Sequence, residues 1–108
     1  MTKVEIEPSE GNVYADLAFP NAGEMLVKAQ LVSKISEILV SRKWTQLHAS
    51  KVLGIPQPKL SKMLRGQFQG ISESRMLECL TRLGRNVRIV IEQENHAETL
   101  GRVEVISA

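Results

Sequence analysis

One break in an otherwise helical pattern constrains this chain more than any other feature. From Thr45 to Gly66 the residues run Thr-Gln-Leu-His-Ala-Ser-Lys-Val-Leu-Gly-Ile-Pro-Gln-Pro-Lys-Leu-Ser-Lys-Met-Leu-Arg-Gly. Ala49, Val52 and Leu53 lie at helical spacing before the break, and Leu60, Met63 and Leu64 after it. Gly54 stands where the first helix must stop, because glycine enters a left-handed C-terminal turn without steric cost. Ile55 is placed to plug the angle between the two helices. Pro56 biases Ile55 towards extended backbone, which keeps the turn sharp. Two short helices joined this way form a helix-turn-helix.

The rest of the chain must supply a core for that motif. With 108 residues it is expected to be one domain of modest core. Hydrophobic residues make up 43% but aromatic ones only 4%, so the core falls to Leu, Val and Ile, which suits packed helices better than a β-sandwich. The lone cysteine, Cys79, lies in an apolar helical run and has no partner for an intrachain disulfide, which suits a reducing cytosol. No stretch approaches the ~20 apolar residues of a membrane span, and the N-terminus lacks a signal-peptide pattern. A soluble, cytoplasmic protein without membrane contact is expected.

Three segments follow from the pattern. Residues 1–20 form an acidic segment: Met1 to Gly11 is either a frayed tail or a strand in need of a partner, and Asn12 can cap a short helix over residues 13–19 that Pro20 ends. Residues 21–84 form the helical domain, with the motif at 45–66. Asn21 and Glu24 resemble a capping box, and a long helix then runs to about Lys43, burying Leu31, Val32, Ile35, Ile38 and Leu39. A last helix opens at Ser72, carries Met76, Leu77, Leu80 and Leu83, and closes at Gly84. In residues 85–108 the period switches to alternation, with Val87, Ile89 and Ile91 on one face and Val103 and Val105 repeating it beyond a polar loop. That predicts a C-terminal β-hairpin suited to dimerisation.

Charge is distributed unevenly. Residues 1–24 carry five acids against one base, a net of −4, whereas the stretch between Glu37 and Glu73 has no acid and six bases: Arg42, Lys43, Lys51, Lys59, Lys62 and Arg65. A basic run is often only a solvated face. Here it coincides with a helix-turn-helix, which points to double-stranded DNA. The second helix of such a motif enters the major groove by its N-terminal end. Gln57 sits there, and its amide can pair with N7 and N6 of adenine unless it merely caps the helix. Pro58 can touch a thymine methyl, and Ser61 and Lys62 lie one turn along. Lys59 and Arg65 are expected at phosphates. Thr45 is expected to cap the first helix, with Gln46 facing a phosphate at its positive end. Arg42, Lys43 and Lys51 are expected to be solubilising, and Trp44 to be a core anchor.

Catalysis finds no support in the residues. His48 and His96 are far apart, no metal-ligand spacing or glycine-rich phosphate loop occurs, and Cys79 reads as a buried, inert thiol. No cofactor and no metal is expected.

Thr45-Gln46, the small residues Ala49 and Ser50, Leu53-Gly54-Ile55, Gln57-Pro58, Leu60-Ser61 and Arg65-Gly66 resemble the Xre/Cro-like helix-turn-helix family. Pro56 departs from it, standing where members often carry a capping Ser or Thr. The wider frame, with Asn12-Val13-Tyr14-Ala15-Asp16-Leu17 before the long helix and Asn86-Val87-Arg88-Ile89-Val90-Ile91 after the motif, is similar to the HigA-type antitoxins. The resemblance implies a mainly α, lambda-repressor-like DNA-binding domain acting as a homodimeric repressor. It further implies an antitoxin that binds a small basic toxin of RelE/HigB type and represses their shared operon. A stand-alone Xre-type regulator without a toxin, and an interaction module that no longer binds DNA, are the alternatives.

Overall fold

The structure is a computed structural model that describes residues 2–3, 22–93 and 100–107. The short helix expected over residues 13–19 and the capping role of Asn21 lie outside the described residues. Those described form helices α1 (Ala22–Arg42), α2 (Gln46–Leu53), α3 (Gln57–Leu64) and α4 (Glu73–Arg82), with strands β1 (Thr2–Lys3) and β2 (Ile106–Ser107). The fold is mainly helical. Residues 28–87 make one compact unit, and residues 1–27 with 88–108 make the other.

Each helix ends in the same way, and the sequence supplies the means. The carbonyls of a last turn have no helical donor, so the chain folds back in a left-handed turn and donates to them. At α1, Lys43 N–H donates to Val40 O (3.0 Å) and Trp44 N–H to Leu39 O (3.2 Å). Gly54, Gly66 and Gly84 adopt φ of 68°, 92° and 85° at the ends of α2, α3 and α4. Lys43 does the same at φ 57° without being glycine. That conformation costs a residue with a Cβ about 1–2 kcal/mol. Lys43→Gly is therefore expected to raise stability, by less than the strain itself because glycine also gains entropy when unfolded: a net of about 0.5–1 kcal/mol. A lower urea midpoint for the variant would mean that the lysine side chain contributes more than its backbone costs.

Of the three helices that start within the described residues 45–82, two are capped as the residue types predict. Thr45 Oγ1 accepts from His48 N–H and Ser72 Oγ accepts from Arg75 N–H, both at 3.1 Å. Pro56 opens α3 with no side-chain cap, so that helix begins at Gln57, with Pro58 in the first turn where no donor is needed.

The predicted stripe of α1 is buried at Leu31, Val32, Ile35, Ile38 and Leu39. Within the unit of residues 28–87, Ile35, Leu53, Leu60, Met63, Met76, Cys79 and Leu83 are the largest fully buried side chains. Phe68 and Ile71 join them from the loop between α3 and α4, and α2 packs on both α3 and α4. Burial pushes the Cys79 thiol pKa up.

The C-terminal hairpin expected over residues 85–108 takes a reduced and different form. Strand β2 has two residues and pairs antiparallel with β1, Thr2 opposite Ser107 and Lys3 opposite Ile106. Residues 87–93 carry no strand, and Ile89, Val90 and Ile91 are 75%, 69% and 92% exposed. Alternation assigns residues to faces, but it does not choose which segment pairs with which. Of the two readings of the N-terminus, the strand holds for Thr2–Lys3.

Candidate nucleic-acid interface

Helix α3 is anchored from beneath and open above. Leu60 and Met63 are completely buried, and Leu64 is half-buried. Helical spacing then turns Pro58, Ser61, Lys62 and Arg65 outwards, with Lys59 on one flank. Gln57, Pro58, Lys59, Lys62 and Arg65 are exposed, and Ser61 is half-buried. The alternative role for Gln57 as a cap is not used: its side-chain amide has no hydrogen bond among the described residues.

The electrostatics of this region are one-sided. No acid occurs between Glu37 and Glu73, and the ion pairs found among the described residues join other groups. Lys43, Lys51, Lys59, Lys62 and Arg65 are therefore unneutralised by any carboxylate there, which leaves a cationic field for a polyanion. At the start of α2, Thr45 spends its oxygen on the cap, yet its hydroxyl hydrogen remains a donor. Gln46 is exposed beside it, at the positive helix end.

Two expectations need correction. Arg42 is more than a solubilising charge: its Nη2 donates to Leu83 O at 2.6 Å and its guanidinium lies 5.1 Å from the Trp44 ring centre. Trp44 is half-buried rather than a core anchor, and stands edge-on to His48 with centroids 4.4 Å apart. The backfolded turn after α1 places it on the seam between α1 and α2, a position set by Lys43 rather than by hydrophobicity.

A helix-turn-helix domain family matches the chain over residues 13–92. The chain belongs to that family. A solved structure described as an XRE-family transcriptional regulator is similar to this helix-turn-helix protein, with a TM-score of 0.76 and 29% identity over 82% of this chain and 100% of the other. No curated protein matches it in sequence.

Among the described residues of this helix-turn-helix protein, no helix is long and apolar enough to cross a membrane, and no His, Cys, Asp and Glu cluster of three or more could hold a metal. The motif has supports that periodicity alone did not reveal. Ser50 Oγ donates to Ile55 O across the turn, and Phe68 is buried from within a polar loop. Arg75 and Arg82 of α4, bridged by Glu78, reach carbonyls of the turn and of the end of α2 from outside. A short-range pattern could have suggested only the spacing of Arg75, Glu78 and Arg82, which sets them on one helical face.

Proposed function

We propose that this protein is a sequence-specific DNA-binding transcriptional repressor that acts as a homodimer. The observation that carries the reading is helix α3: seated by Leu60 and Met63, it offers Gln57, Lys62 and Arg65 to solvent in a region free of acidic residues. Gln57, Pro58, Ser61 and Lys62 face base edges in the major groove, while Thr45, Gln46, Lys59 and Arg65 hold the phosphates. The similarity to an XRE-family regulator supports the same reading. The exposed apolar run at Ile89, Val90 and Ile91 supports a second copy covering it. Enrichment of duplexes from a random-sequence pool tests the DNA-binding part, and recovery of no preferred sequence would sink it.

We further propose that the repressor is an antitoxin that neutralises a RelE/HigB-like toxin and autoregulates their operon. What supports it, besides the family resemblance, is charge: −4 over residues 1–24 against six bases and no acid between Glu37 and Glu73. A toxin that handles RNA needs a basic surface, and an acidic segment approaching it gains steering and competes with substrate. Tyr14 and Phe19 would be the aromatic anchors beside Asp16. Removal of residues 1–20 is expected to abolish capture of the small basic partner and to leave operator affinity intact. A truncated chain that still captures it would place the interface elsewhere. A full chain that copurifies with no such partner from its native cells would leave a stand-alone regulator.

A further inference from the structure

The end of α2 and the turn after it present backbone carbonyls, and α4 supplies donors for two of them. Arg75 Nη2 donates to Gly54 O at 2.5 Å, and Arg82 Nη1 donates to Val52 O at 3.3 Å. Between these arginines, Glu78 accepts on both oxygens: Oε2 from Arg75 Nη1 and Oε1 from Arg82 Nε, each at 3.1 Å. Each guanidinium is thus used along two edges at once, one on the carboxylate and one on the turn. A planar fork bound on both edges has its direction fixed, which a lysine ammonium cannot reproduce. The hydrogen bond from Arg75, and then that from Arg82, holds the Glu78 carboxyl below its ordinary range. Gly54 completes the fit, since a Cβ there would come within 2.9 Å of Arg82 Nη1.

Stability does not account for this arrangement. The three side chains are 34–44% exposed, and ion pairs that open to water contribute little to folding. What they hold is the joint between α2 and α3. Base readout demands geometry good to a fraction of an ångström, whereas attraction to phosphates tolerates slack.

We propose that Arg75, Glu78 and Arg82 are positioning residues that grip this turn and set the direction in which α3 presents Gln57, Ser61 and Lys62. The inference rests on the DNA-binding reading above. Slackening the grip removes base discrimination while sparing non-specific attraction.

Glu78→Gln keeps the size of the side chain and removes its charge. Arg82→Lys keeps the charge and removes the second edge. Both are made in the full chain and measured against two duplexes, one selected by the wild-type chain from a random pool and one of scrambled sequence, alongside thermal unfolding. Affinity for the selected duplex is expected to fall roughly tenfold, the worth of one base contact. Affinity for the scrambled duplex should not fall, and the unfolding midpoint should move by no more than a few degrees. Equal weakening on both duplexes, no weakening on either, or unfolding of both variants at ambient temperature would each reduce the trio to a structural element and overturn the proposal. A wild-type chain that selects no sequence is a separate result, visible before any variant is made, and would overturn the DNA-binding reading and this inference with it.

Discussion

Leu60→Ala should remove most of the stability of the helical unit. Leu60 is completely buried and belongs to α3, so its truncation leaves a cavity directly beneath the proposed recognition surface. Leucine-to-alanine changes in cores cost about 2–5 kcal/mol, against a total of about 5 kcal/mol for a domain at the small end of the range. Operator binding should vanish with it, although Leu60 touches no DNA in the proposed arrangement. Leu64→Ala, at a half-buried neighbour on the same helix, should cost clearly less. Urea titrations followed by circular dichroism would compare the two. A loss below about 1 kcal/mol at Leu60 would mean that α3 is not seated as described.

The second large effect is on DNA, and there the exposed side chains should divide into two kinds. A bidentate pairing of Gln57 with adenine is worth about 1–3 kcal/mol of discrimination, so Gln57→Ala should relax preference at one base-pair position. Lys59→Ala and Arg65→Ala should instead weaken binding to every sequence. Each should flatten the dependence of log affinity on log salt by roughly one unit, because each lost phosphate contact leaves one counterion unreleased. The double variant should therefore show its largest deficit at low salt. Binding curves at several salt concentrations, on selected and scrambled duplexes, separate the two kinds. Identical losses of preference from all three substitutions would sink the division of labour.

The helical part of this architecture was legible because its determinants are local. Apolar spacing located α1 to α4, and cap residues set their ends: Thr45, Ser72, Gly54, Gly66 and Gly84 all sit where their chemistry requires. Exposure of the candidate DNA-facing residues followed from the same periodicity, since Leu60 and Met63 settle which side of α3 is buried. What was missed depends on partners distant in sequence. Phe68 stands alone between glutamines, so no period marks it as core, yet it is 2% exposed. Arg75 and Arg82 look like ordinary helical charges until the fold brings them to carbonyls 21 and 30 residues away. The alternation after Gly84 suggested strands that pair with each other, but β2 pairs with β1 from the opposite end of the chain. Trp44 was misplaced because hydrophobicity favours burial, while the left-handed turn at Lys43 directs it to a seam.

Cys79 makes the molecule a recorder of its own breathing. Its thiol is 1% exposed in α4, directly after Glu78, and is the only one in the chain. A thiol must ionise before it attacks an alkylating reagent, and burial opposes both ionisation and access. Labelling must therefore wait for α4 to lift from its neighbours, and each labelled molecule gains a single mass increment. The rate of that increment measures how often α4 opens, without any introduced probe and with Arg75, Glu78 and Arg82 unsubstituted.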